Sequence, residues 1–414
     1  MNEEKYIPAG YKPSPLGPIP EDWEVKRLGE IGEVLMCKRI MKYQTNSCGD
    51  IPFFKIGTFG GKPDAYISRE VFDEYKAKYS YPKVGDILIS AAGTIGRSVI
   101  FDGTPSYYQD SNIVWIDNDN KQVLNKYLYY YYSTINWITD TGTIPRLYNG
   151  ALKAIQIPTP PIEQQARVVS ILELWDTAIE KQTALIEKLT LRKRGLMQQL
   201  LTWKKRLKGF SGEWKEVKLG VIGTAYGGLV NKNKEDFENG NALFITYMNV
   251  FSNGKVDTDN LGQVRILPSE KQEQVQFGDI FFTVSSETPD EVGMASVLLN
   301  QVENTYLNSF CFGYRLNDFK TIVPIFASYL FRGDDFRKEM YKIAQGSTRF
   351  NISKTEVLNM RIIIPSIEEQ NAIASVLVNA DKEIEIAKGK LLHLQNQKRG
   401  LMQVLLTGKK RIKY

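Results

Sequence analysis

Residues 193–208 read KRGLMQQLLTWKKRLK, and residues 398–413 read KRGLMQVLLTGKKRIK. The second stretch is the first moved 205 positions along the chain, from 193 to 398. A helix-end sequence used twice with a whole globule between the copies marks a duplicated chain. The duplication extends outward from these two stretches. Trp23, Leu28, Gly29, Ile31 and Gly32 recur as Trp214, Leu219, Gly220, Ile222 and Gly223. Gly85-Asp86-Ile87 recurs as Gly278-Asp279-Ile280, and IPTPPIEQQ (157–165) as IIIPSIEEQ (362–370). The order is kept while the offset grows, so the second copy carries insertions between fixed landmarks.

Each copy has two parts. The first holds short β-rich runs such as DILISA (86–91), NIVWI (112–116) and DIFFTV (279–284), punctuated by Gly, Asn, Asp and Ser. One amphipathic helical stretch follows late in each, near 125–137 and 323–336, which predicts a mixed α/β globule. The second part is a long helix. Positions 165, 168, 172, 175, 179, 182, 186, 189, 193, 196 and 200 alternate steps of three and four, and eight of the eleven are apolar. Their equivalents in the second copy, 370 to 405, are apolar at nine of eleven. A heptad seam held this long predicts a coiled coil, a rod of roughly 54 Å at 1.5 Å per residue. Pro160-Pro161 with Glu163 marks one helix start, and Ser366 with Glu369 fits a capping box at the other. Lys193 and Lys398 both fall on the seam, where a lysine either fixes register or snorkels out.

The expected architecture is α+β: two similar mixed α/β domains joined by two long helices in an antiparallel coiled coil, with a pseudo-two-fold internal duplication. The short connection KKRLKGFSGEWK (204–215) favours the antiparallel pairing, because the second globule begins close to the end of the first helix. The expected segments are a first domain over 1–160, a central helix over 161–207, a second domain over 208–365 and a C-terminal helix over 366–414.

The chain has 414 residues, a formal net charge of +6 and three cysteines without metal-ligand spacing. No stretch reads as a membrane span or secretion signal, and the cysteine usage points to a reducing, cytoplasmic compartment. The basic groups around 192–208 read first as a solvated helix end. The single histidine, His393, lies on the second long helix, which leaves a Ser/His/Asp triad or a zinc site without its usual parts. There is no Walker A and no G-x-G-x-x-G. TPP (159–161) lacks the amide and aromatic of an adenine methyltransferase box. PD (289–290) has no following Glu-x-Lys, and GTIG (93–96) reads as a turn. No self-contained active site emerges, and no cofactor or metal is expected on the chain.

PLGPIPEDW (15–23), GDILISAAGTIG (85–96), IPTPPIEQQ with its echo IPSIEEQ (364–370), and the twice-used RGLMQ-x-LLT-x-KKR are similar to the specificity subunit of type I DNA restriction–modification enzymes. The resemblance covers roughly residues 15–414. It implies two target recognition domains, each reading one half of a split, asymmetric site in double-stranded DNA. It implies that the helices act as a ruler and dock two methyltransferase subunits, while separate restriction subunits translocate and cut. S-adenosylmethionine, ATP and Mg would then belong to the partners. SSETPDEVGMA (285–295) departs from the matching GTIGR segment.

Base edges are read by Arg or Lys at guanine and by Asn or Gln at adenine, while other contacts go to phosphates. In the first domain the candidate DNA-binding residues are Lys38, Arg39, Lys42, Tyr43 and Gln44, then Arg97, Gln109 and Asn112, then Arg146, Tyr148 and Asn149 from GTIPRLYN (142–149). In the second they are Asn231, Lys232, Asn233 and Lys234, with Ser285, Ser286, Asn308, Arg349 and Asn351. Competing readings are an enzyme with a cryptic site, a structural coiled-coil adaptor, and an orphan specificity subunit that restricts nothing.

Overall fold

A computed structural model describes residues 7–137 and 146–412. Chain order runs globule, helix, globule, helix, whereas compact packing groups the chain into two units. One comprises 1–183 with 390–414, and the other 184–389. Each globule thus takes the start of its own long helix and the end of the other one.

In the first unit a four-stranded sheet runs in the order Val34–Leu35, Ile113–Ile116, Ile87–Ser90, Ser98–Ile100. The middle strands are buried at every position, so their apolar run shows no alternation. A three-stranded sheet places Ile51–Phe54 between Tyr66–Ile67, antiparallel, and Tyr107–Tyr108, parallel. Glu24–Arg27 pairs with Gln156–Thr159, so a strand near the start of the globule closes on the last before the long helix. The second unit repeats this plan. Its four-stranded order is Gly223–Gly227, Cys311–Leu316, Ile280–Thr283, Ala295–Val297. Ala242–Ile245 lies between Gly262–Val264 and the parallel Thr305–Leu307, and Lys215–Lys218 closes on Arg361–Ile364. One helix absent from the sequence reading, Arg69–Lys78, is mostly polar and buries only Phe72, which leaves little periodic signal.

The long helices span Ile162–Leu200 and Ile367–Leu405, 39 residues each. None of the eleven seam positions is exposed in either helix. Val168, Val169 and Leu172 share the first unit's core with Leu405 and Leu406, and Asp176 lies further along one helix against Lys398, further back on the other. The second unit pairs Glu369 with Arg206, Asp381 with Lys193 and Glu383 with Arg192. Rising numbers meet falling numbers in each unit, so the packing is antiparallel.

The two seam lysines are both ion-paired across the helices. Lys193 Nζ lies 2.5 Å from Asp381, which also accepts from Lys255 at 3.0 Å and from the Tyr329 hydroxyl at 2.6 Å. Lys398 pairs with Asp176, which accepts from the Tyr130 hydroxyl at 2.6 Å. Each lysine also sits over its tyrosine's ring, at 5.6 and 5.1 Å.

A buried glutamine joins each globule to its helix. Gln165 Oε1 accepts from Leu124 N–H at 2.8 Å, and its Nε2 donates to the Gln122 and Pro160 carbonyls at 2.9 and 2.8 Å. Gln370 accepts from Val323 N–H at 3.0 Å and donates to the Thr321 and Pro365 carbonyls at 2.9 and 3.0 Å. Leu124 and Val323 are the N-cap residues of helices Asn125–Tyr132 and Pro324–Leu330, whose first amides have no intrahelical partner.

Two local expectations change. The capping box at Ser366 is half made: Ser366 Oγ accepts from Glu369 N–H at 3.4 Å, but the Glu369 carboxylate is drawn off by a bidentate contact with Arg206 at 2.7 and 2.6 Å. The basic tails lie past the helices rather than on them. Trp203 and Gly408 occupy the same place in the repeat with φ of +55° and +72°, left-handed residues of the kind that stop a helix. Only Gly408 is tightly enclosed: a Cβ there would stand 2.5 Å from Pro20 Cδ.

Candidate nucleic-acid interface

Sheet edges and helix starts bring several sequence-picked residues of the first unit to one place. Gln109 follows the parallel strand Tyr107–Tyr108, and its N–H donates to Phe54 O. Asn112 precedes Ile113–Ile116, and its carbonyl accepts from Ala91 N–H. Arg146 bridges to Ala92. These three, with Arg39 and Lys42, line an open groove of about 540 Å³. Lys55 lines it too and was not picked from sequence. Among the described residues, four cations face one carboxylate there, Asp110, which holds Arg39 at 2.9 Å. Lys55 pairs with Asp64 at 2.9 Å, Lys42 is exposed, and Arg146 donates to Ser111 O at 3.3 Å with its guanidinium 5.9 Å from the Tyr148 ring. Tyr43 and Tyr148 are 85% and 57% exposed, flat apolar surface beside a cationic groove.

Other picks lie apart or are spent. Lys38 is exposed, with its ammonium 5.1 Å from the Tyr79 ring. Arg97 is exposed but donates to Phe59 O at 2.8 Å. Asn149 is exposed at the start of helix Asn149–Ala154. Residues 142–145 of GTIPRLYN lie outside the described residues. Gln44 departs from the reading: its Oε1 accepts from Met41 N–H at 2.9 Å and its Nε2 donates to the Tyr75 hydroxyl at 3.2 Å, so both ends are used within its own unit.

The second unit corrects more of the list. Lys232 has a side chain only 3% exposed, 2.5 Å from Glu270, and donates to Arg265 O at 2.6 Å. It locks a loop and faces no solvent. Asn233 is an N-cap whose Oδ1 accepts from the amides of Glu235 and Asp236 at 3.0 and 3.3 Å. Ser285 and Ser286 are buried in a short strand against Phe350–Asn351. Asn231, Lys234, Arg349 and Asn351 are exposed, with Asn231 at φ +54°. Asn308 N–H donates to Ile245 O, which puts it where Gln109 sits in the first unit. Likewise Phe310 O accepts from Val284 N–H as Asn112 O accepts from Ala91 N–H, so the 59%-exposed Phe310 takes the place of Asn112. Sequence reasoning missed Phe310; only the bond-by-bond equivalence of the two copies identifies it. Met248, 59% exposed on helix Tyr247–Ser252, was missed as well.

Burial pushes the Cys37 and Cys311 thiols up to about 12, away from nucleophilic thiolate. His393 is exposed on its helix. Among the described residues no cluster of three His, Cys, Asp or Glu is placed to hold a metal, and no helix is long and apolar enough to cross a membrane.

The sequence profile of the type I restriction modification DNA specificity domain matches residues 20–191 and again 211–396. A putative type I restriction enzyme specificity subunit of Haemophilus influenzae, S.HindORF215P, is 65% identical over 160 residues, 38% of this chain and 42% of that protein. The type I restriction enzyme MjaVIII specificity subunit of Methanocaldococcus jannaschii is 26% identical over 420 residues, 95% of this chain and 94% of its own. The crystal structure of a type I restriction–modification S subunit from M. genitalium aligns with TM-score 0.51 at 16% identity, covering 93% of this chain and 96% of that one. A chain from a structural study of type I R-M complex assembly and conformational transition aligns with TM-score 0.61 at 15% identity, covering 95% and 99%. At such identities the structural likeness concerns the fold.

Proposed function

The chain belongs to the type I restriction–modification DNA specificity family, and from that premise we propose that each globule reads one half of a split duplex site. The observation that carries this reading is the equal placement of polar side chains in both units. Gln109 and Asn308 end equivalent strands, and Arg146 and Asn351 bridge equivalent segments at Ala92 and Ser285. The exposed or groove-lining cations Lys42, Lys55, Arg146, Lys234 and Arg349 supply phosphate contacts that fix position. The amides and exposed aromatics supply contacts to bases.

The seam-packed helices hold the half-sites at a set spacing and dock two methyltransferase subunits. Support for two equal docking places comes from the repeated motif. Arg194 and Arg399, and Gln198 and Gln403, are identical and exposed in copies that have otherwise diverged. With Lys193 and Met197, or Lys398 and Met402, they line one hollow per unit, of about 260 and 570 Å³. The chain itself performs no bond-making step. S-adenosylmethionine, ATP and Mg belong to the methylation and restriction partners.

Co-expression with a type I methylation subunit, followed by mapping of methylated adenines across the host genome, tests this. The expected result is one split motif with two fixed halves and a constant spacer. A complex that forms without any methylated motif would instead favour a structural adaptor.

A further inference from the structure

A glutamine or asparagine in solution can turn either its oxygen or its NH2 to a partner, and it reads adenine by using both at once. Gln109 and Asn308 lack that freedom. Gln109 Oε1 accepts from Ile56 N–H at 2.9 Å. Asn308 Oδ1 accepts from Phe310 N–H at 2.8 Å. The two partners are different, but the result is the same at equivalent strand ends: the oxygen is turned to the backbone and the NH2 is left over. No protein acceptor sits on Gln109 Nε2 or Asn308 Nδ2 among the described residues. Turning either amide over would set NH2 against N–H and leave a backbone donor unpaired, which disfavours the flipped form by roughly ten-fold or more. Around Gln109 the groove adds donors from Lys42 and Arg146, while the carboxylate that lines it, Asp110, is already engaged by Arg39.

We propose that Gln109 and Asn308 are donor-only base readers, each selecting a keto base, guanine through O6 or thymine through O4, in one half-site. Cytosine and adenine present an amino group at that place on the major-groove edge and are rejected, because NH2 would face NH2. The inference rests on the DNA-reading role proposed above and adds the chemistry of one base position per half.

The test is selection of binding sites from a randomised duplex library by the full chain, then by Gln109→Glu and Asn308→Asp. Each substitution is nearly isosteric. It keeps an oxygen for the backbone N–H and replaces the outward NH2 by an acceptor. Gln109→Glu should change one position of one half-site from a keto to an amino base, shifting the preference there by about ten-fold or more. The other half should stay as it was, which also shows that the variant is folded. Asn308→Asp should do the reverse. Gln109→Met should lose preference at that position alone. The base selected by the unsubstituted chain distinguishes guanine from thymine. Recovery of an unchanged motif by the Glu and Asp variants overturns the inference while leaving the DNA-reading role intact. Failure of the unsubstituted chain to enrich any motif overturns both.

Discussion

Removing the charge of Asp381 separates an ion pair that sets register from one that merely decorates a surface. Asp381 accepts from Lys193, Lys255 and the Tyr329 hydroxyl, with its own side chain 22% exposed and the lysines 27% and 34%. Asp381→Asn leaves two half-buried ammonium groups facing an amide. Hydrogen bonds to charged groups contribute about 1.5–3 kcal/mol each, and partial exposure discounts them, so the expected loss is about 2–4 kcal/mol. The control is Glu383→Gln, which breaks the neighbouring pair with Arg192. Its side chains are about half exposed, so it should cost under about 1 kcal/mol. Burial pushes the Asp381 carboxyl up, but its bonds from Lys193, Tyr329 and Lys255 outweigh this and hold it below the usual range. A carboxyl depressed in the fold contributes fully above its unfolded pKa of about 3.9 and loses that contribution as pH falls through the folded value. The gap between Asp381→Asn and the parent should therefore be full at pH 7 and close below about pH 4. Urea unfolding, with hydrogen exchange on peptides spanning 193–200 and 377–384, measures both. Equal costs for the two substitutions at pH 7, or a gap unchanged at pH 3, would refute the register role.

Lys42→Ala should weaken binding to all duplexes and lower the salt slope by about one, read by fluorescence anisotropy at several salt concentrations. Lys232→Ala should leave that slope unchanged and instead lower the melting temperature of the second unit, since it removes the side chain that ties Arg265 O to Glu270. Gly408→Ala should cost about 2–4 kcal/mol from left-handed strain and the Pro20 contact, whereas Trp203→Ala at the same place in the repeat should cost under about 1 kcal/mol; thermal unfolding checks both. At pH 8, iodoacetamide should label exposed Cys48 and spare buried Cys37 and Cys311 in the native chain, as peptide mass mapping would show.

The long helices were legible because their signal is local: a three-four rhythm over five heptads leaves every seam position buried or half-buried. The closure of each globule was not. Glu24–Arg27 meets Gln156–Thr159 across more than a hundred residues, and nothing in either tetrapeptide names its partner. The candidate site divides the same way. Lys42 and Lys232 look alike in sequence, each a lysine in a polar loop. Glu270, distant in the chain, makes one of them internal. Asn233 is spent on its own backbone as the N-cap of the turn Lys234–Phe237, a local bond that leaves its oxygen no base to read. The pinned oxygens of Gln109 and Asn308 depend on where a backbone amide ends up, which composition does not encode.

The glutamine joint between globule and helix touches only main-chain atoms: one amide and two carbonyls at Gln165, and the same set at Gln370. Every polypeptide owns those atoms whatever its side chains. The joint therefore works as a standard fitting. A globule of quite different sequence can be seated on the same helix start, provided its late helix begins at the same height, so the surfaces of the globule are free to diverge without renegotiating how they are held.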